Sequence, residues 1–117
     1  MPCKINNEFG TITIENDIIA RIAGMAAMDC YGIVGMAARN MKDGIVQLLR
    51  RESLTKGVNL SIFDNALAID LHIIVEYGTN ITAIGDTTVS TVKYKVEEAT
   101  GLEVKRVNIF VEGIRVD

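Results

Sequence analysis

His72 is the single histidine of the chain, and the residues around it alternate between polar and apolar. If this segment is a strand, Asp70, His72 and Glu76 point to the same side of a sheet. An Asp-x-His pair on one strand face could hold a metal ion or move a proton. Two ligands are too few for structural zinc, and Glu76 adds only a weak third. The pattern therefore favours a histidine at a surface or an interface, with no metal site and no catalytic residue.

The tetrapeptide Gly32-Ile-Val-Gly35 lies between two stretches that could be helical. It matches the G-x-x-G loop with which KH domains clamp a nucleic-acid backbone. Such a clamp is helped by a cation, but here the two central residues are apolar and the preceding segment is poor in Lys and Arg. The sequence favours a glycine-containing turn with its apolar side chains directed inward. A KH-like nucleic-acid-binding module is the alternative.

Residues 39–56 form a basic segment, with five Lys or Arg side chains against two acidic ones, in a chain of net charge −3. A short amphipathic helix here would separate an apolar side from a basic side. The basic side could meet anionic lipid, an acidic partner or the chain's own sheet. We favour a solvated helix that packs against its own domain. The apolar side would consist of Met41, Ile45, Leu48 and Leu49, and the candidate basic contacts are Arg39, Lys42, Arg50 and Arg51.

Length and composition favour one globular domain over residues 1–117, because 49% of the residues are hydrophobic and 23% are charged. The net negative charge argues against a general binder of nucleic acid. No apolar leader opens the sequence, and no stretch reaches the about 18 uncharged apolar residues of a membrane span. We therefore expect a cytoplasmic protein with no direct membrane insertion.

Cys3 and Cys30 form no C-x-x-C pair, so the sequence encodes neither a zinc knuckle nor a thioredoxin-like redox pair. We predict a free thiol near the terminus, a buried second thiol and no intramolecular disulfide. The P-loop, the G-x-S-x-G elbow and the Gly-rich dinucleotide turn are absent from the sequence. We expect no cofactor and no enzymatic activity.

Residues 58–76 carry the clearest structural signal. Apolar residues alternate with polar ones on both sides of Asp64-Asn65. A two-residue turn there would pair Phe63 with Ala66 and Leu60 with Ile69. Both apolar sets then fall on one face, as the pleat requires. The pattern predicts an antiparallel hairpin.

Two long helices flank this hairpin in the sequence. The first would be capped by Asn16 or Asp17 and run to about Asp29, and the second would be capped by Asn80 and end at Gly101. The residues at helical spacing are Ile18, Ile22, Met25 and Ala26 in the first helix, and Ile81, Ile84, Thr88, Val92, Val96 and Ala99 in the second.

A strand over 9–14 precedes the first helix, and a last strand runs from Leu102 to about Val116 with a bulge near Lys105-Arg106. Each helix has one apolar stripe to bury, and the sheet offers one strongly apolar face. The predicted fold class is therefore α+β, a two-layer sandwich in which two long helices cover one face of a mixed β-sheet, in the order β-α-(α)-β-β-α-β.

Several short segments near the two ends of the sequence follow one another in a recognisable order and spacing. The N-terminal segments are Gly10-Thr-Ile-Thr-Ile14, Ile18-Ile19-Ala-Arg-Ile-Ala23, Ala26-Ala27 and Gly32-Ile-Val-Gly-Met36, and the C-terminal ones are Gly101-Leu-Glu-Val104 and Val107-Asn-Ile-Phe-Val-Glu-Gly113. Together they resemble the alkaline shock protein family of Gram-positive bacteria. The resemblance implies a small cytoplasmic protein of the envelope stress response that associates with itself and acts through membrane-anchored partners. It implies no catalytic residues.

The sheet face that the helices leave open is predicted to be mostly polar with two apolar residues inside it. Such a pattern is typical of a contact surface, although the basic segment could instead cover the face within the monomer. Alternation places there Asn59, Ser61, Asp70, His72, Ile74, Asn108, Phe110 and Glu112, of which Asp70, His72, Ile74, Asn108 and Phe110 are the candidate interface.

The sequence as a whole favours a non-enzymatic scaffold or adaptor. We expect protein partners, namely further copies in a homo-oligomer and a membrane-anchored or membrane-proximal protein, and no nucleic acid. The alternatives are the KH-like nucleic-acid-binding module and a regulatory subunit of a neighbouring kinase-like enzyme.

Overall fold

A computed structural model describes residues 3–39, 46–48, 55–64 and 66–116. In chain order the elements are β1 (Cys3–Asn7), β2 (Gly10–Ile14), α1 (Asn16–Met28), β3 (Ile33–Arg39), β4 (Val46–Leu48), β5 (Val58–Phe63), β6 (Ala66–Glu76), α2 (Ile81–Thr100) and β7 (Glu103–Arg115). Among the described residues, neither helix is long and apolar enough to cross a membrane.

β6 is the central strand of the main sheet. β7 runs parallel to it along one edge, over the whole length of β6. The other edge is shared by two antiparallel strands, since β5 pairs with residues 66–71 and β3 with residues 73–75. β4 extends the sheet beyond β3, and β1 and β2 form a separate hairpin. The fold is the predicted α+β arrangement with a mixed sheet.

The predicted hairpin is confirmed in its register. Phe63 lies opposite Ala66, Leu60 opposite Ile69 and Val58 opposite Leu71. Asp64 has a φ of 49°, a left-handed conformation that Asp tolerates better than most residues. The alternation of β6 thus places all of its odd-numbered side chains on one face.

That face carries the core. Leu67, Ile69, Leu71, Ile73 and Val75 are each at most 1% exposed, and they pack with buried residues of both helices in one hydrophobic cluster. α1 contacts β3 and β5, whereas α2 contacts β7. The two helices therefore form one layer over the sheet, as predicted.

α2 follows its sequence signals closely. The Asn80 side chain accepts a hydrogen bond from the backbone N–H of Ala83 (3.1 Å), and Gly101 ends the helix with a φ of 74°. The buried Thr88 hydroxyl donates to the carbonyl of Ile84 at 2.7 Å, so its burial leaves no polar atom unsatisfied. Ala99, predicted on the apolar stripe, is exposed, and Thr100 takes the buried position.

Two predictions for α1 are wrong. Glu15, not Asn16 or Asp17, is the N-cap, and no side chain caps the helix. Ile18 and Met25 are 52% and 45% exposed, whereas the other two residues of the predicted stripe, Ile22 and Ala26, do pack on the core side. The buried side is a stripe of small residues beside one isoleucine, which allows the helix to approach the sheet and α2 closely. This stripe consists of Ile19, Ala20, Ala23, Ala26 and Ala27.

The region after α1 also differs from the prediction. Residues 33–39 form β3, so Gly32-Ile-Val-Gly35 leads into a strand and is not a loop between two helices. Residues 46–48 pair with β3 as β4, which contradicts the predicted helix there. The physical reason is that β6 extends beyond β5, and the edge exposed at residues 73–75 is completed by β3. The KH-like alternative loses its structural basis.

Both cysteines are free, as predicted, and both are buried, whereas burial was predicted only for the second. Cys3 lies in β1, is 1% exposed and belongs to the core cluster. Burial raises the pKa of the Cys3 thiol. The Cys30 thiol donates to the carbonyl of Ala26 at 3.5 Å. The absence of an intramolecular disulfide stays a prediction.

Gly32 occupies a position where only glycine fits. Its φ is +86°, and a Cβ there would overlap Cδ1 of Ile84 and lie 2.8 Å from Cγ1 of the same side chain. Gly78 has a similar φ of +90°, but a Cβ there would meet nothing within 4 Å. A substitution at Gly78 therefore adds only backbone strain, whereas a substitution at Gly32 adds backbone strain and steric overlap.

We predict that Gly32→Ala lowers the free energy of unfolding more than Gly78→Ala does. Both changes place alanine in a left-handed conformation, which costs about 1–2 kcal/mol, and Gly32→Ala adds overpacking of about 1–3 kcal/mol. Combining Gly32→Ala with Ile84→Val should cost less than the sum of the two changes. Urea unfolding of the four variants measures this, and equal losses for the two glycine variants would contradict it.

Candidate functional site

The open face of the main sheet brings together polar side chains from three strands. β5 contributes Asn59, β6 contributes Asp70 and His72, and β7 contributes Asn108 and Phe110. They meet because Asn59 and Asn108 both lie opposite Asp70, and Phe110 lies opposite His72. We call this set the open-face cluster.

The His72 ring is held on two sides. It stacks on the ring of Phe110 with centroids 4.9 Å apart and an interplanar angle of 14°. On the β5 side, the side-chain amide nitrogen of Asn59 lies 3.2 Å from Nε2 of His72. The stack and the polar contact together fix the orientation of the imidazole.

The contact with Asn59 depends on the tautomer of His72. An amide nitrogen can only donate, so the contact is a hydrogen bond in the tautomer that carries its proton on Nδ1 and accepts at Nε2. Nδ1 faces a carboxylate oxygen of Glu112 at 3.8 Å. The amide of Asn59 and the carboxylate of Glu112 thus lie beside the two ring nitrogens of His72.

Asp70 is also held in place. The Asn108 side chain donates to Oδ1 of Asp70 at 2.8 Å, and this pair is partly buried. A hydrogen bond to an ionised carboxylate is about twice as strong as one between neutral groups. The bond ties β7 to β6 across the parallel pairing.

Apolar side chains are also partly exposed among these polar residues. Phe110 is 43% exposed, and Ile74, two residues after His72 on the same side of β6, is partly buried. In the described residues, no three His, Cys, Asp or Glu side chains form a group that could hold a metal. The polar groups of the cluster are two amides, an imidazole and one carboxylate, which can form hydrogen bonds to a bound partner.

The predicted interface residues thus lie together on the open face, as expected from alternation. The basic residues are a different case. Arg39 is the last residue of β3, while Lys42, Arg50 and Arg51 lie outside the described residues. Whether this basic segment contacts lipid, a partner or the sheet stays a prediction.

The sequence interpretation missed the apolar surface along β7. Val111 and Ile114 are 37% and 52% exposed, although their partners in β6, Ile73 and Val75, are almost fully buried. Alternation correctly places Val111 on the core face of the sheet. It does not show that β7 lies at the edge of the sheet, where a residue on the core face can stay exposed.

Comparison with known protein families identifies the family of the chain. The model of the alkaline shock protein 23 family, described as having a cell envelope-related function, matches residues 4–116. The chain belongs to this family. The resemblance inferred from the sequence is confirmed.

Relatives of this family member occur in Gram-positive bacteria. The chain is 44% identical to "Uncharacterized protein YloU" of Bacillus subtilis, over 99% of the chain and 98% of that protein. It is 34% identical to "Uncharacterized protein Spy1614" of Streptococcus pyogenes, over 99% and 97% of the two chains. It is 32% identical to a "Stress response regulator gls24 homolog" of Streptococcus pyogenes, over 91% of the chain and 59% of that protein. No solved structure matches the chain.

We predict that folding of this alkaline shock family protein requires no metal ion. Removal of a structural metal would cost a large part of the folding free energy. Thermal melts with and without a strong chelator should therefore coincide. A lower melting temperature with the chelator, restored by added zinc, would show that a metal contributes to stability.

Proposed function

We propose that the chain is a non-enzymatic, cytoplasmic scaffold or adaptor of the cell-envelope stress response. It associates with further copies of itself and binds a membrane-proximal protein, with the open-face cluster as its contact surface for partners. The family description and the printed name of the gls24-type relative support the stress and envelope context.

The observation that carries the proposal is the stacked pair of His72 and Phe110 on an open sheet face. Aromatic residues contribute a disproportionate share of the energy at protein interfaces. Phe110 is already fixed by stacking, so it loses little side-chain freedom on binding. The polar groups of Asp70, Asn108 and Glu112 around it supply the hydrogen-bonding rim of such a surface.

The geometry favours binding over catalysis. His72 contacts an amide, an aromatic ring and a carboxylate. A nucleophilic mechanism would need a Ser, Cys or Lys within hydrogen-bond reach of the histidine. Both cysteines instead belong to the buried side of the fold. Water also reaches the His72 side chain, which is 27% exposed, whereas electrostatic catalysis depends on the exclusion of water.

Phe110→Glu tests the proposal, and Phe9→Glu is the matched control. Phe9 is 91% exposed in the turn between β1 and β2, away from the main sheet. A charge at position 110 should remove the apolar centre of the contact surface, while Val107, Ile109 and Val111 keep β7 in place. We expect Phe110→Glu to lose the partner proteins that the wild-type chain and Phe9→Glu capture from cells, while its stability falls only by the lost stack on His72, about 0.5–1.5 kcal/mol.

The alternative occupant of the face gives the opposite result. If the basic segment 39–56 covers Phe110 within the monomer, Phe110→Glu lowers the melting temperature and leaves the captured proteins and the light-scattering mass unchanged. That outcome would refute the proposed contact surface.

A further inference from the structure

The outer edge of β7 is a long strand edge. β7 has 13 residues and pairs with β6 along its inner side. In the part of the chain that the structure describes, no strand pairs with its outer side. The backbone N–H and C=O groups of such an edge are a template for pairing with another strand.

Four pairs of positions in β7, equidistant from Ile109, carry complementary residues. Glu103 and Arg115 lie six residues on either side of it, and Arg106 and Glu112 lie three residues on either side. If a second copy of β7 runs antiparallel and both strands are centred on Ile109, Glu103 lies opposite Arg115 and Arg106 lies opposite Glu112. The apolar residues follow the same symmetry, with Val107 opposite Val111 and Val104 opposite Ile114.

The sheet faces agree with this pairing. Glu103, Arg106 and Arg115 lie opposite Ala66, Ala68 and Glu76 of β6, which are all on the open face. Glu112 is on this face too, because its carboxylate approaches His72. The apolar members lie opposite the odd-numbered core residues of β6. Every pair thus joins two side chains on the same face, as directly opposed residues of an antiparallel pair must.

Other registers lose these contacts. If the two antiparallel strands are centred on Asn108 instead, Arg106 lies opposite Phe110 and Val104 lies opposite Glu112. A shift to Phe110 places Lys105 opposite Arg115, and like charges directly opposite each other are destabilising. If the two strands are centred between two residues, the core-face side chains of one copy lie on the same side of the sheet as the open-face side chains of the other. The register centred on Ile109 is the one that satisfies both charge pairs.

The two bulges of β7 also match. Relative to β6, the extra residues are Lys105 and Glu112. In the centred register Lys105 lies opposite Gly113, and Arg106 lies opposite Glu112, so the bulge region of one strand runs beside that of the other. Bulges and charges usually protect an edge from pairing. In the centred register the bulges and charges of β7 match those of an identical strand, whereas a strand of another sequence would not match them.

We propose that a second copy of the chain pairs with the outer edge of β7, antiparallel and about a two-fold axis at Ile109. This contact buries Val111 and Ile114, which are exposed in the single chain. It forms one continuous sheet with both helix layers on one side and both open-face clusters on the other. The inference rests on the self-association in the proposed function, but it does not depend on the open face being the partner surface.

Charge reversal at the inner pair tests the proposal. Arg106→Glu places two acidic residues opposite each other twice in the dimer, and Glu112→Arg does the same with two basic residues. Each variant alone should raise the dimer dissociation constant at least about tenfold, which corresponds to about 1.4 kcal/mol. Sedimentation measures the constant.

Rescue identifies the pairing. In a mixture of the two single variants, every 106–112 contact again joins opposite charges, so heterodimers should form with the wild-type constant and be resolved by native mass spectrometry. The double variant Arg106→Glu with Glu112→Arg should also dimerise. Lys105→Glu is the matched control, because Lys105 faces Gly113, and it should leave the constant unchanged.

Three outcomes would overturn the proposal: a wild-type chain that stays monomeric at about 1 mM, single variants that dimerise normally, or a mixture that forms no heterodimer. Failure of the proposed function is recognised separately. If heterodimers form but Phe110→Glu still captures the wild-type partners, the β7 pairing holds and the open face is not the partner surface. If Phe110→Glu loses its partners while no heterodimer forms, the open face holds and the β7 pairing does not.

Discussion

The burial of one face of β6 is the constraint on which the rest of the structure depends. Five alternating residues, from Leu67 to Val75, are almost fully buried under α1 and α2. Since successive side chains of a strand point to opposite faces, this burial forces Asp70, His72 and Ile74 onto the other face. The open-face cluster is thus a consequence of how the core is built.

The parallel pairing of β7 with β6 completes this surface and also sets its boundary. α2 crosses over the sheet and returns the chain to the edge of β6, where Asn108 meets Asp70 and Phe110 meets His72. The same placement leaves the outer edge of β7 with exposed apolar residues and a symmetric set of charges. The proposed contact face and the proposed pairing edge therefore lie on the same strand, which would suit a chain that joins copies of itself while it presents one surface to another protein.

The parts of the fold that the sequence predicts well are those that local patterns determine. The register of the β5–β6 hairpin follows from matched alternation, and the ends of α2 follow from Asn80 and Gly101. β3 and β4 escaped prediction because they exist to complete the edge of β6, which is a tertiary requirement. The buried side of α1 was misassigned because close packing selected the alanine stripe over Ile18. For the site, alternation identified the face, but the stack of His72 on Phe110 depends on a parallel register between distant strands.

The proposed role of β7 is to make the contacts of this molecule, with its outer edge joining two copies. Hydrogen–deuterium exchange of the wild-type chain, compared above and below its self-association concentration, tests this most directly. The account predicts that assembly slows exchange in residues 103–115 and leaves α1 and α2 unchanged. Unchanged exchange in β7 together with new protection over α1 would contradict it, because association would then use the helical layer.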